Sequence, residues 1–470
     1  MSRLKSAPLA AMVLLSTSAF ADSSVIISQD QQREALSITI YNDALALIND
    51  TRTVPMTSGL NRLEMQHVSA HIRPETAHLT SLSDMPFNVI EQNFDYDLLS
   101  PQTLLDKSVG QTIEVITRDP QTGKTTREQA TLLSNNGQPI VQFADRIEVG
   151  NLDNFAFSSL PTNLRSHPTL SMVLNSERAG NNTVQLTYLS GGFSWRADYT
   201  ATLSPDETFV DLSGLITLNN QSGTSFKNAH LQLVAGDIHQ VQQNMVRPMY
   251  KSAMPVAMME MDTMPESEAF SDYHLYKIPF KTDLNNQQTK QVALLNASHV
   301  PVQKTYQFNQ YFDATTAEGQ NLKASILYRF KNSQENHLGM PLPKGILRMY
   351  KNDQSGNALL VGEDSIQHTA ENEVFKVATG QAFDVSLTKK RTKVTKISKE
   401  TTQYSYEVVF NNAKDEAVTV DYSDFIPFNT WQVTASSIAV TTQGSDQANW
   451  QIIVPAKAQQ ALTYTLQVTQ

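Results

Sequence analysis

An all-β protein built from several domains is what the sequence predicts, and three observations predict it. Apolar and polar residues alternate in short runs such as "ALSITIYND", "TVQLTYLS", "YSYEVVFNN" and "LTYTLQVTQ", all rich in Val, Ile, Thr and Tyr. Clusters of Asn, Gly, Pro, Asp and Ser, such as "LSPDET" and "YKNDQSGN", punctuate them at about ten-residue spacing, the rhythm of sandwiches and small barrels. Only 17% of residues are charged while 40% are apolar, and Thr, Ser, Asn and Gln supply the remaining polarity. That composition suits strands and turns better than surface helices. Evenly recurring aromatic girdles are missing, which argues against a transmembrane barrel.

At 470 residues the chain exceeds one ordinary core, and composition suggests where it divides. Residues 1–21 read as an export signal: Arg3 and Lys5, the apolar stretch "LAAMVLL", then "AFA" with small residues at the −3 and −1 positions. Cleavage is expected after Ala21. Residues 22–98 form an N-terminal β domain and 99–154 a small SH3-like barrel. Residues 155–379 form a central sandwich and 380–470 an Ig-like domain. No further apolar run approaches the roughly 20 residues of a membrane helix. With no cysteine, the chain can form neither a disulfide nor a thiolate site. An exported, cysteine-free chain points to the periplasm. The net charge of −10, without a long block of one sign, gives no support for nucleic acid or an anionic membrane as partner.

The ten residues "SGGFSWRADY" (190–199) stand out for two glycines, three aromatics and an Arg/Asp pair. Read as a strand, they place Phe193, Trp195, Ala197 and Tyr199 on one face and Ser194, Arg196 and Asp198 on the other. "SPDE" then turns the chain into "TFVDLSGLITLNN", completing a hairpin over an aromatic face. Arg196 and Asp198 could clamp a ligand; the structural alternative is an ion pair holding strand register. A serine elbow is disfavoured, since Arg196 occupies the place of the second glycine of G-x-S-x-G and no helix follows.

The same residues carry a resemblance. "SGGFSWRADYTATL", "VDLSGLITLNNQSGTSFKNAHLQLVAGDI" and "PLPKGILRMYKNDQSGNALLVGEDSIQHTAENEVFKVATGQAFDV" resemble, in order, the domain of unknown function 4139 family, some members of which are labelled mucoidy-inhibitor-like. "YEVVFNNAKDEAVTVDY" and "ANWQIIVPAKAQQALTYTLQV" resemble its closing β domain, and "ITIYNDALALINDTRTVPMTSGLNRLEM" the N-terminal part of its exported members. The resemblance transfers no catalytic residue. Longer relatives carry a coiled-coil stretch, whereas no heptad run occurs here.

Other candidate chemistry is sparse. His67, His71 and His78 offer a metal spacing without the glutamate a zincin needs. Asp237 and His239 share one face of a strand end and could bind a ligand or serve as an acid/base pair. The segment "MVRPMYKSAMPVAMMEMDTM" could present Met254, Met258 and Met261 to Cu(I), although adaptable thioethers equally suit a contact arm. No cofactor is implied. The expectation is a non-catalytic periplasmic protein that binds an envelope protein or polymer. A hydrolase with loop-borne residues and a Cu(I)-binding protein are the alternatives.

Overall fold

The computed structural model describes residues 25–42, 44–118, 121–150, 154–161, 164–236, 266–270, 273–314 and 320–469. Strand dominates, and the one α-helix among the described residues is Pro101–Lys107. Ser100 caps it and Pro101 opens it, as expected where an N-terminal N–H has no helical partner. The chain forms two compact units that are not contiguous in sequence: Met1–Leu36 with Asn49–Leu189, and Ser37–Ile48 with Ser190–Gln470.

In the first unit, a four-stranded sheet runs Val25–Ser28, Gly59–Gln66, Thr169–Ser176, Phe87–Asp95. Nearby lies a charge cluster around the fully buried Asp50 and Arg52. Asp50 accepts from Arg52 at 2.7 Å and from Arg33 at 2.8 Å, and Arg52 also donates to the carbonyl of Ser28 at 2.8 Å. Burial alone would raise the Asp50 carboxyl, but the two guanidinium groups outweigh it and hold it below the usual range.

Residues 112–156 form a second, five-stranded sheet around Ile113, Val115, Leu132, Val141 and Phe143, with Leu105 of the helix packed against it. The expected SH3-like barrel is corrected here. The strands pair in one open row, Ile147–Val149, Ile140–Gln142, Thr125–Ser134, Thr112–Arg118, Asn154–Ala156, and the row does not close. Among the described residues the two end strands, Ile147–Val149 and Asn154–Ala156, do not pair with each other.

The second unit contains a thirteen-stranded network. The hairpin expected from sequence is present: Phe193–Leu203 pairs antiparallel with Phe209–Asn220, with Trp195 opposite Leu218 and Tyr199 opposite Gly214. Burial alternates with period two along the first strand, from Phe193 to Leu203. Gly214 leaves room for the Tyr199 ring, since a Cβ there would lie 3.2 Å from it. Gly192, at φ +80°, brings the entering chain so close to Gln221 and Ser222 that a side chain would clash.

Two strands of unusual length, Gln288–Tyr311 (24 residues) and Val374–Lys396 (23 residues), organise the rest. The first half of Gln288–Tyr311 pairs with Phe209–Asn220, and its last six residues pair in parallel with Val418–Phe425. One strand thus serves a central layer and then a C-terminal sandwich, whose core holds Phe308, Tyr406, Phe410, Tyr422, Trp450 and Tyr464.

Candidate functional site

The structure first disposes of the charges that drew attention in the sequence. Arg196 Nε donates to Asp198 Oδ2 at 3.0 Å, and Thr217 Oγ1 donates to the same oxygen at 2.6 Å. Arg348 reaches Asp198 Oδ1 at 3.3 Å and Glu363 at 3.1 Å. The result is a polar row across four neighbouring strands, in which each carboxylate oxygen of Asp198 already has a protein donor. A ligand here would have to displace those partners.

Asp237, His239, Met254, Met258 and Met261, like residues 1–21, lie outside the described residues. The histidine spacing does not assemble a metal site. His67 stacks on His167 at 4.0 Å rather than meeting His71, and among the described residues no group of three or more His, Asp or Glu side chains converges. Burial and the neighbouring His167 hold the His67 imidazole below its ordinary value.

A cleft that no motif announced lies in the C-terminal sandwich. It is lined by residues 310–313 at the end of one long strand, by Lys389 and Arg391 on the other, and by Leu322 and Tyr406. Its volume is about 240 Å³, below the range of drug-sized pockets, which suits one chemical group rather than a whole cofactor.

The floor of the cleft is locked. Lys389 Nζ donates to Asp424 at 2.7 Å and sits 4.8 Å from the Tyr406 ring centre. Asp424 is fully buried, and its other oxygen accepts from the Tyr464 hydroxyl, which lies 3.2 Å from that of Tyr422. Tyr406 donates to the carbonyl of Asp313 at 2.9 Å; burial, then the charges of Asp424 and Asp313, push its hydroxyl well up.

The rim is different. Arg391 shares the Lys389 face of its strand and has no hydrogen bond or ion pair among the described residues. Beside it Phe312 meets Tyr404 and Phe428 edge-on, each at 5.0 Å, and Tyr311 stacks on Phe425. A guanidinium between aromatic walls recognises carboxylate or phosphate oxygens, for which its planar fork is pre-organised.

Arg391 belongs to a run that the charge reading of the sequence passed over. Residues 389–399, "KKRTKVTKISK", carry six cations and no acid. The expectation of no single-sign block is therefore corrected, and the run itself was the available signal. Lys389 and Lys390 are answered by Asp424 and Glu407. Arg391, Lys393, Lys396 and Lys399 make no ion pair among the described residues, unlike Arg196 and Arg348.

These features define a multidomain all-β protein with an aromatic-walled cleft, lined by Lys389, Arg391 and Asp313, in its last sandwich. The profile described as "Domain of unknown function (DUF4139)" matches residues 184–470, more than half of the chain, and the protein belongs to that family. No curated protein matches it. No described helix is long and apolar enough to cross a membrane.

Proposed function

We propose that the protein acts by binding rather than by catalysis, in the periplasm after cleavage behind Ala21, and that its C-terminal cleft holds an anionic group of an envelope protein or polymer. The observation that carries this reading is Arg391: a half-buried guanidinium on the cleft lining with Tyr311, Phe312 and Tyr406, which makes no ion pair among the described residues although Asp313 shares that lining. Structural arginines elsewhere in the chain, such as Arg52 and Arg348, are paired. The other polar groups of the cleft serve the fold, since Lys389 and Tyr406 are both engaged by the protein itself.

The reading is tested by placing a photo-crosslinking side chain at Tyr311, which is 72% exposed, and irradiating intact envelopes. The expected result is a crosslinked partner that disappears with Arg391→Gln while the melting temperature is unchanged. A partner captured equally by both forms would remove the cleft from the function. The export part is checked by the intact mass of the mature chain, which should begin at Asp22.

A further inference from the structure

Two imidazoles meet at one end of the four-stranded sheet of the first unit. His67 directly follows Gly59–Gln66, and His167 stands just before Thr169–Ser176, whose first residue pairs with Gln66. The two rings stack with centres 4.0 Å apart and planes 29° from parallel. Asp30, in the short turn after the strand Val25–Ser28, lies 3.9 Å from His67 Nε2. Since Val25–Ser28 also pairs with Gly59–Gln66, side chains from the ends of three neighbouring strands converge on one ring.

The backbone shows that this contact is held under strain. His67 has φ +62°, in the left-handed region that a residue with a Cβ seldom adopts. Such a conformation persists where its surroundings over-determine it, and the stack with His167 is one of the contacts that do so.

Electrostatics makes the contact conditional. Neutral aromatic rings attract when stacked, whereas two imidazolium rings at this distance repel. Asp30 favours a cation on His67. Arg33, which follows the same turn, and Arg52 oppose one, although both are bonded to the buried Asp50. Burial and the neighbouring His167, helped by the two arginines, outweigh Asp30 and hold the His67 imidazole below its ordinary 6.5.

We propose that His67 and His167 form a proton-operated clasp, closed while both rings are neutral and opened when both are charged. Opening unstacks the rings, moves the turn carrying Ser166 and His167 away from the end of Gly59–Gln66, and lets the His67 backbone leave the left-handed region. Arg165 keeps its ion pairs with Glu64 and Asp95, so the motion stays local. The unfolded chain, with the ordinary histidine value, binds the proton more tightly than the fold does. The clasp's contribution is therefore complete above pH 6.5 and is lost as pH falls through the lower folded value. Histidine is the side chain whose charge changes in that range.

The test uses the full mature chain with carbon-13-labelled histidine rings, titrated by NMR from neutral to acid pH. His67 should titrate below a free histidine, and its midpoint should rise towards 6.5 in His167→Gln, where the like charge is gone. Amide hydrogen exchange of residues 166–169, corrected for the intrinsic rate, should quicken at least about threefold between about pH 7.5 and about pH 5. In His167→Phe, which keeps a stacking ring without a charge, that segment should stay protected at both values. Because His167 is exposed, neither substitution threatens the fold. A His67 midpoint unmoved by His167→Gln shows that the rings do not sense each other and overturns the clasp. Acid opening in His167→Phe equal to that of the unaltered chain overturns it as well, since another group would then drive the motion. A shifted midpoint with no change in exchange at any pH leaves two coupled rings and no clasp, which also sinks the proposal.

Discussion

The strands Phe193–Leu203 and Val374–Lys396 both belong to the second unit, and they treat charge in opposite ways. On the first, Asp198 sits among Arg196, Thr217 and Arg348, so its charge is consumed in joining neighbouring strands. On the second, pairing stops at Lys389 and Lys390, and the cations beyond them are left without an ion pair among the described residues. In the more conspicuous sequence, with its Trp, its glycines and its Arg/Asp pair, the charges are engaged within the fold. The plainer basic run faces outward. What separates the two is the number of protein partners each charge has, and that number exists only once strands are paired.

The comparison breaks first at Trp195. It is 5% exposed, 6.2 Å from the Tyr276 ring, and its Nε1 has no hydrogen-bond partner. Trp195→Ala should cost about 3–5 kcal/mol, the usual penalty for emptying a large core site. Trp195→Phe should cost clearly less, because it removes a buried donor that the fold does not satisfy. Both are read from urea midpoints. An unchanged midpoint in Trp195→Ala, with binding lost, would make the strand a ligand platform.

A second strong effect is expected at Lys389. Its removal strands the fully buried Asp424 carboxylate, so Lys389→Ala should cost about 3–5 kcal/mol, whereas Arg391→Gln, two residues further on, should leave stability nearly intact. Equal losses in the two variants would mean that Arg391 is also structural and that the cleft is only the end of a core.

Much of the scaffold was legible because it depends on local alternation. The period-two pattern from Phe193 to Leu203 placed Trp195 and Tyr199 inside and Arg196 outside without reference to any partner strand. The cleft was not legible in that way, because Phe312 and Arg391 are far apart in the chain and meet only where two long strands run past each other.

One device could have been seen. Asn220 and Asn412 end a strand, Asn332 directly follows one, and all three are buried. Each donates its amide to carbonyls of two loop segments, as Asn412 does to Glu416 at 2.8 Å and Pro455 at 3.0 Å. "LNNQS", "FKNSQ" and "FNNAK" share a central Asn two positions after an apolar residue, but their unequal spacing hid them from a search for a fixed repeat. Asn412→Asp should cost about 1–3 kcal/mol by turning a buried donor into an acceptor facing carbonyls.

Acid gives a gentler probe of the scaffold's charges. Glu207, at the turn of the central hairpin, bonds Lys304, Lys351 and Tyr328. Burial alone would raise its carboxyl, but the two lysines outweigh this and lower it from 4.5 to about 2. Its contribution is therefore fully present above pH 4.5 and is lost as pH falls towards 2. Glu207→Gln should flatten the stability profile over that window. An identical acid profile in the variant would show that the clamp adds nothing.

The smallest expected effect is also the one that separates the two strands by sign. Arg196 is half exposed and paired with Asp198, so Arg196→Gln should lower stability by about 0.5 kcal/mol or less. The nearest charged residues of Lys393 and Lys396 along their strand are cations, and Glu407 on the facing strand is already paired with Lys390, so Lys393→Gln/Lys396→Gln removes more repulsion than attraction. At low salt it should raise stability by a few tenths of a kcal/mol, roughly the size of a surface pair interaction with the sign reversed. High salt should erase that gain, because exposed charges are screened within a Debye length. Urea midpoints at the two salt concentrations decide the matter. A gain at low salt means that the fold tolerates these lysines at a cost, which fits charges held for something outside the chain. A loss in the lysine variant equal to that of Arg196→Gln would make the basic run one more piece of scaffold, and the contrast between the two strands would disappear.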